Sequence, residues 1–423
     1  MKMMNKILSA SVLCTVMAQT SSANELSNFN EPNVAKLNSA IQNRKVHIIQ
    51  FGDSHTAADV MTGVMRTQLQ STLGNGGMGW GMPMYFAGQR LELYGYDNSG
   101  WQPISSRTNH NENYSLGGLL AVPKFSRATL TIKAKQSQAP QNMMVSLRQA
   151  SSDGAFSAVD ATGKRFSIEA PIKNNSWKMV KFTAVLPFTI TANNVSNSAI
   201  GGWWGENASG GGAIVSALGI NGAELSNWNH WNSEWRNELA AVAPDLVILA
   251  YGTNEAYNDN LNVEQAKSIL MDKIQKIRQA SPNTAVMIVS APESLKNTVG
   301  ECGSRPVKLT AVQNMQYQVA QSMHTLYWNW QQAMGGSCSM KKWIGQGLGR
   351  SDGVHFSSSG YNKIGKMMAN DLLNLSGVPA SQGGQTEQAL PNQNISTMKT
   401  GFESLGFAQI CLEGSNECKS IGR

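Results

Sequence analysis

Ser54 follows the apolar run Val46, Ile48, Ile49 and Phe51 by way of Gly52 and Asp53. Directly after it, Val60, Met61, Val64, Met65 and Leu69 recur at helical spacing. A serine at a strand-to-helix turn sits where unpaired backbone N–H groups point outward, which is how a chain presents a nucleophile. Far downstream, Asp352 and His355 stand three apart in Asp352-Gly353-Val354-His355-Phe356. Gly222 and Asn254 each come just after an apolar run, Ile214 to Ile220 and Leu246 to Ala250. A hydroxyl, an imidazole, a carboxylate and amide donors are the set that acyl transfer needs: nucleophile, general base, orienting acid and oxyanion donors. Each alone has a plainer reading. Ser54 is suited to cap a helix, Asn254 to make a turn, and Asp352 with His355 to form a solvated surface turn.

The elements around these residues decide whether they meet. Leu246 to Ala250 and Ala285 to Val289 are continuous apolar runs, the pattern of strands buried on both faces, and a further strand is expected near Thr325 to Trp328. Helices are expected after them. One starts at Asn262 and Gln265 in capping-box spacing and turns Leu270, Ile274 and Ile277 inward. A second runs from Leu309 to Met323, and a last one carries Tyr361, Ile364, Met368 and Leu372. Alternating strands and helices predict an α/β fold with a parallel sheet covered on both sides, a three-layer α/β/α arrangement. In such a sheet ligands sit beyond the carboxyl ends of the strands, so Ser54, Gly222 and Asn254 should open onto one rim.

From Trp101 to Gly210 the texture changes to period-two alternation, as in Ala128, Leu130, Ile132 and Ala134. That predicts an inserted small β-sandwich domain at 101–210, interrupting an α/β domain made of 24–100 and 211–378. The glycine-rich stretch from Gly74 reads as a surface loop. Trp228, Trp231 and Trp235 fall on one face of an expected helix and read as core. Trp101, Trp177, Trp203 and Trp204 are candidates for stacking on sugars, with burial in the sandwich as the default. Residues 379–423 read as a Gln/Ser/Asn-rich linker and a cysteine-containing tail.

Residues 1–23 have Lys2 and Lys6, an apolar stretch from Ile7 to Ala18 and small residues to Ala23, the pattern of an export signal. The expected location is outside the cytoplasm, in a periplasm. Nothing after that segment is long and apolar enough to span a bilayer. The formal net charge is +7, two of it from the leader, and no dense Lys/Arg run argues for nucleic acid. Cys302, Cys338, Cys411 and Cys418 lie beyond the leader, and four cysteines in an exported chain predict disulfides of three possible connectivities. Local pairing, Cys302 with Cys338 and Cys411 with Cys418, is the expected one. None sits in a CxxC, so zinc and redox roles have no support.

The blocks GDSH at Gly52, GINGA at Gly219, GTNE at Gly252 and DGVH at Asp352, in that order, resemble the SGNH or GDSL-like hydrolases. GDSHTA, NGAE, YGTNEA and DGVHF with a β-rich insert resemble, more narrowly, the periplasmic peptidoglycan O-acetylesterases, whose insert is carbohydrate-binding-like. The resemblance implies Ser54 as nucleophile, His355 as base and Asp352 as its orienting acid. It implies an oxyanion hole from the Ser54 and Gly222 backbone N–H groups and the Asn254 side chain, with no cofactor and no metal. Gly219 is the rival for the glycine role, and Gly222 is preferred because Ala223 and a helix follow it. The implied substrate is O-acetylated peptidoglycan, with 6-O-acetyl muramoyl residues as the target. The same triad could instead pass the acetyl group to a sugar, making a transferase, and an idle site on a glycan-binding protein is the third reading.

Other residues compete for attention. Gly349 to Gly353 fits the G-x-S-x-G pattern, yet no strand precedes Ser351 and no helix directly follows. His47 falls inside the first strand, His110, His230 and His324 have no evident partner, and His55 is suited to line the pocket, to pack or to cap.

Overall fold

The computed structural model describes residues 24–194 and 197–381, together with the backbone of the strands Gln409–Cys411 and Cys418–Ser420. The expected leader, most of the expected tail and the side chains of Cys411 and Cys418 lie outside the described residues.

A six-stranded sheet forms the centre of the α/β part. Its strands are β1 (Leu26–Asn28), β2 (Lys45–Gly52), β3 (Gly212–Gly219), β4 (Leu246–Ala250), β5 (Ala285–Val289) and β6 (Leu326–Trp328). They lie side by side in the order β1-β6-β5-β4-β2-β3. β2 to β6 are mutually parallel, while β1 pairs antiparallel with β6 at the edge. The edge strand was not legible beforehand because its three residues carry no apolar run.

Each central strand buries both faces, as the unbroken apolar runs of β4 and β5 require, and β2 and β3 carry the polar residues Gln50 and Ser216 buried among their apolar ones. Val46 and Ile48 join one core with Met65, Leu246 and Met368, beneath the helices Val34–Gln42, Val60–Leu73 and Ser358–Leu375. Ile49 and Phe51 point the other way, into a core with Trp228, Leu249, Ile274 and Ile288 under the helices Trp235–Val242, Val263–Ala280 and Leu309–Ser322. The chain runs from β2 outward to β3, then returns to β4 on the other side of β2 and proceeds to β5 and β6. The reversal makes the carboxyl ends of β2, β3 and β4 the switch point at which ligands bind in such sheets.

The second body is a pair of antiparallel sheets between β2 and β3 in sequence. One contains Tyr94–Ser99, Thr129–Ala134, Phe188–Thr191, Phe156–Val159 and Arg165–Ile168. The other contains Trp101–Ser105, Leu119–Pro123, Ala199–Asn207, Gln141–Arg148 and Trp177–Ala184. Its core is continuous with that of the α/β part. Trp101, Trp177, Trp203 and Trp204 are all buried, so none presents a free face to a sugar.

Two local expectations are corrected. The glycine-rich stretch is not a surface loop: Met78, Trp80, Met82 and Met84 are buried, and Gly79–Gly81 pairs with Ala199–Asn207. It is the seam between the two bodies, with the Trp80 backbone N–H donating to Ser216 Oγ at 2.8 Å. Gly79 makes the seam possible, since at φ +68° a Cβ there would lie 2.4 Å from Ser216 Oγ. Trp228, Trp231 and Trp235 do not share one helix. Leu225–His230 is a 3-10 turn, Trp231 is extended and a new helix begins at Trp235. The three rings still pack together as core, at 4.4 and 5.3 Å between centroids.

The sulfurs of Cys302 and Cys338 are at bonding distance, with Cα atoms 4.7 Å apart. No helix among the described residues is long and apolar enough to cross a membrane.

Candidate active site

β2 ends at Gly52, and the chain turns at Asp53 into the short helix Ser54–Ala57. Only glycine fits at 52, because a Cβ would lie 2.6 Å from Ala250 O of the neighbouring strand. Asp53 caps the helix, its Oδ1 accepting from the His55 backbone N–H at 3.0 Å. Ser54 is thereby lifted onto the rim, half-buried, with its N–H in the first turn of the helix.

The late loop brings the other groups. Ser54 Oγ is 3.0 Å from His355 Nε2, and His355 Nδ1 is 2.9 Å from Asp352 Oδ2. Asp352 also accepts from the backbone N–H groups of Val354 and His355 through Oδ1, at 2.8 and 2.9 Å. Burial alone would raise the Asp352 carboxyl, but the His355 hydrogen bond and charge and the two N–H groups outweigh it and hold it below its usual range. An ionised carboxylate only accepts, so Nδ1 carries the proton and the Nε2 lone pair faces the Ser54 hydroxyl. The loop is anchored by the Leu295 N–H, which donates to Gly353 O at 2.8 Å. Gly353 has φ +73°, and a Cβ on it would lie 2.5 Å from Leu295 O.

The remaining rim residues come from the adjacent strand ends. Gly219 lies within β3, paired with Gly52, and a Cβ there would meet the Ala57 backbone N at 2.2 Å. Gly222 lies beyond the strand, in a turn with φ +72°. Asn254 is buried in the helix Thr253–Tyr257 after β4, and its Nδ2 donates to Ala223 O at 3.0 Å, leaving its second N–H. A hydroxyl hydrogen-bonded to an imidazole, with a carboxylate behind it and amide donors on neighbouring strand ends, is equipped for nucleophilic attack on an ester.

Several supporting residues were not legible as such. Glu255 is buried and accepts from the Leu225 N–H at 2.8 Å through Oε1 and from the Gly252 N–H at 3.0 Å through Oε2. It thereby ties the Gly222 loop to the Asn254 helix. Burial pushes its carboxyl up to about 7, with the Asp53 charge adding to the effect. Asp53 is itself pushed up to about 7 by burial, against the hydrogen bonds it accepts.

His55 neither caps nor lines an open pocket. It is buried behind the triad, with Nδ1 2.8 Å from Tyr361 Oη and its ring 5.4 Å from that of His355 and 5.1 Å from Trp330. Burial drives its pKa far below the ordinary imidazole value, so it is neutral. Ser351 is exposed in a turn, with no strand leading into it.

The sandwich also reaches this rim. The loop after Trp101–Ser105 is held to the Trp228 segment through Ser106 Oγ, which accepts from Asn227 Nδ2 at 2.9 Å. It brings Arg107 against Gly222, where an added Cβ would lie 2.8 Å from Arg107 Nε. It also stacks His110 on His230 at 3.9 Å, the partnership that spacing did not reveal. His324 Nδ1 lies 3.2 Å from Phe29 O.

Two family models match in succession: the N-terminal model of peptidoglycan O-acetylesterases over residues 76–189 and the GDSL-like lipase/acylhydrolase family over 190–363. A solved peptidoglycan O-acetylesterase is 39% identical, with a TM-score of 0.76, over 83% of this chain and 99% of the other. An acetyl xylan esterase is 14% identical over 37% of this chain and 78% of its own, with a TM-score of 0.30. A family two carbohydrate esterase from Cellvibrio japonicus is 9% identical over 66% of this chain and 99% of its own, with a TM-score of 0.28. Those two likenesses are too slight to bear on this chain. No curated protein sequence matches it.

Proposed function

The chain belongs to the family of peptidoglycan O-acetylesterases with a GDSL-like hydrolase domain, and we propose that it is a serine esterase that removes O-acetyl groups from peptidoglycan. The observation that carries the catalytic assignment is the hydrogen-bonded line from Ser54 Oγ through His355 to Asp352, at 3.0 and 2.9 Å.

In the reaction His355 Nε2 takes the Ser54 proton as Oγ attacks the acetyl carbonyl carbon. The tetrahedral oxyanion is held by the Ser54 and Gly222 N–H groups and Asn254 Nδ2. Asp352 holds the imidazole in its Nδ1–H tautomer and balances the imidazolium that forms. Collapse breaks the bond to the sugar oxygen, which takes the proton from His355 and leaves as the alcohol. Water, deprotonated by His355, then attacks the acetyl-Ser54 carbonyl, releasing acetate and restoring the serine.

The target is the 6-O-acetyl group of muramoyl residues, and its removal restores the C6 hydroxyl. A polymer of that kind lies outside the cytoplasmic membrane, consistent with the export signal read at residues 1–23, and the periplasm is the proposed location. Acetate release from O-acetylated peptidoglycan by wild type and Ser54→Ala, with labelling by a sulfonyl fluoride, tests the assignment. Wild type should release acetate and be labelled, and the variant should do neither. Undiminished release by Ser54→Ala would sink it.

A further inference from the structure

Beside the candidate triad, and not part of it, is a cavity of about 490 Å³ whose lining does not include Ser54 or His355. Its size is that of a small-ligand pocket. The floor is formed by Leu249, Leu270, Ile288 and Met315, all buried. The mouth is polar, with Glu224, Asn258, Asn262 and Gln265.

The cavity is joined to the oxyanion site through two segments of chain. Gly222 and Asn254 supply the proposed donors, and Glu224 and Asn258, two and four residues later, wall the cavity. The segments are pinned together at both levels, by Asn254 Nδ2 to Ala223 O at 3.0 Å and by Asn258 Nδ2 to Glu224 Oε1 at 3.2 Å. Asn254 and Asn258 are one helical turn apart, so the mouth lies about 5 Å along the helix from the Asn254 level. The cavity is thereby within reach of a polymeric substrate whose ester sits against Asn254.

The lining chemistry selects what enters. Sugar rings are held on exposed aromatic faces; of the two rings in this lining, Tyr251 is buried with its hydroxyl accepting from Trp228 Nε1 at 2.9 Å, and His230 is stacked on His110 at 3.9 Å. An acetyl methyl needs no cavity of this size. Aliphatic walls suit small apolar side chains, and the six side-chain amides of the lining, Asn262 and Gln265 at the mouth among them, carry donors and acceptors that suit peptide N–H and C=O groups.

We infer that this cavity is a subsite for the stem peptide of the glycan, so that the enzyme acts preferentially on acetylated muramoyl residues that carry peptide. The inference rests on the esterase reading above. The peptide lies beyond the leaving sugar oxygen and takes no part in bond making; its binding energy holds the ester against Ser54.

The test compares kcat/KM on O-acetylated glycan with its peptides, on the same glycan stripped by an amidase, and on p-nitrophenyl acetate. Wild type should favour the peptide-bearing glycan by roughly tenfold or more. Ala266→Trp, on the half-buried helix face that lines the cavity, should remove that preference mainly through KM and leave p-nitrophenyl acetate turnover unchanged. Equal kcat/KM on both glycans in wild type would overturn the subsite alone. So would a fall by Ala266→Trp that is equal on all three substrates. No acetate from either glycan, with p-nitrophenyl acetate still cleaved, would overturn the esterase reading and the subsite with it.

Discussion

Glu255 accepts a hydrogen bond from the backbone N–H of Leu225 at 2.8 Å, and through it the helix of Asn254 is locked to the loop of Gly222. The other oxygen takes the Gly252 N–H, so a single buried carboxyl sets the spacing of the two strand ends that carry the proposed oxyanion donors. Several consequences can be measured.

Glu255→Gln should lower kcat while leaving KM little changed. A glutamine has one acceptor oxygen, so its NH2 group must face one of the two backbone N–H groups. An unmet buried donor costs about 1–3 kcal/mol, and if displacement of Asn254 relieves it, turnover should fall on the order of tenfold. Steady-state kinetics on p-nitrophenyl acetate read the split, and a rise in KM with kcat intact would contradict it.

Asn254→Ala should reduce kcat by roughly 100- to 1000-fold, the usual loss for one oxyanion donor. Because its Nδ2 also bonds Ala223 O, circular dichroism of the variant must stay native for the loss to count as catalytic. Activity within a few-fold of wild type would remove Asn254 from the oxyanion hole.

Stability should fall as pH rises from about 4.5 to about 7.5. Asp53, Glu238 and Glu255 are each pushed up to about 7 by burial, far above their unfolded values. At these three carboxyls the folded protein binds more protons than the unfolded chain across that window, outweighing His55 and His47, whose burial-lowered imidazoles act oppositely below about 6.5, and raising the pH favours unfolding. Asp352 acts oppositely: its depressed carboxyl contributes stability that is lost only as pH falls through the acid range. Glu238→Gln should flatten the slope in the upper window. It keeps an acceptor for the Leu116 N–H, now met by Glu238 Oε2 at 2.7 Å, and an NH2 group can donate to Ser146 Oγ. Thermal midpoints of wild type and variant across the range decide it, and parallel curves would refute it.

Reduction of the Cys302–Cys338 bond, or Cys302→Ser, should cost about 2–4 kcal/mol of stability, since the bond closes a loop across a sequence separation of 36. Leu295, outside that loop but in the segment that leads from β5 into Cys302, holds Gly353 and so the Asp352–His355 turn. Activity should therefore fall before global unfolding when a reductant is titrated. Coincident loss of activity and of circular dichroism would contradict that order.

What the sequence determined by itself is the set of strand ends. Leu246 to Ala250 and Ala285 to Val289 are apolar without interruption, and Val46 to Phe51 is apolar but for His47 and Gln50, so burial on both faces, and with it a covered parallel sheet, follows from hydrophobicity. Ser54 and Asn254 were legible because each stands right after such a run, and Asp352 with His355 because three residues let one turn hold both.

Tertiary structure decided the rest, because the relevant partners are distant in sequence and joined by polar contacts that leave no periodic trace. The order β4-β2-β3 makes Asn254, Ser54 and Gly222 neighbours. Glu255 could equally have been a helix-start carboxylate in water, and His55 a cap, until packing buried both. The stretch around Trp80 looked like a loop for its glycines, yet those glycines let two bodies approach closely enough to share one core. The cavity beside Asn258 exists only because helices from separate parts of the chain leave that space between them.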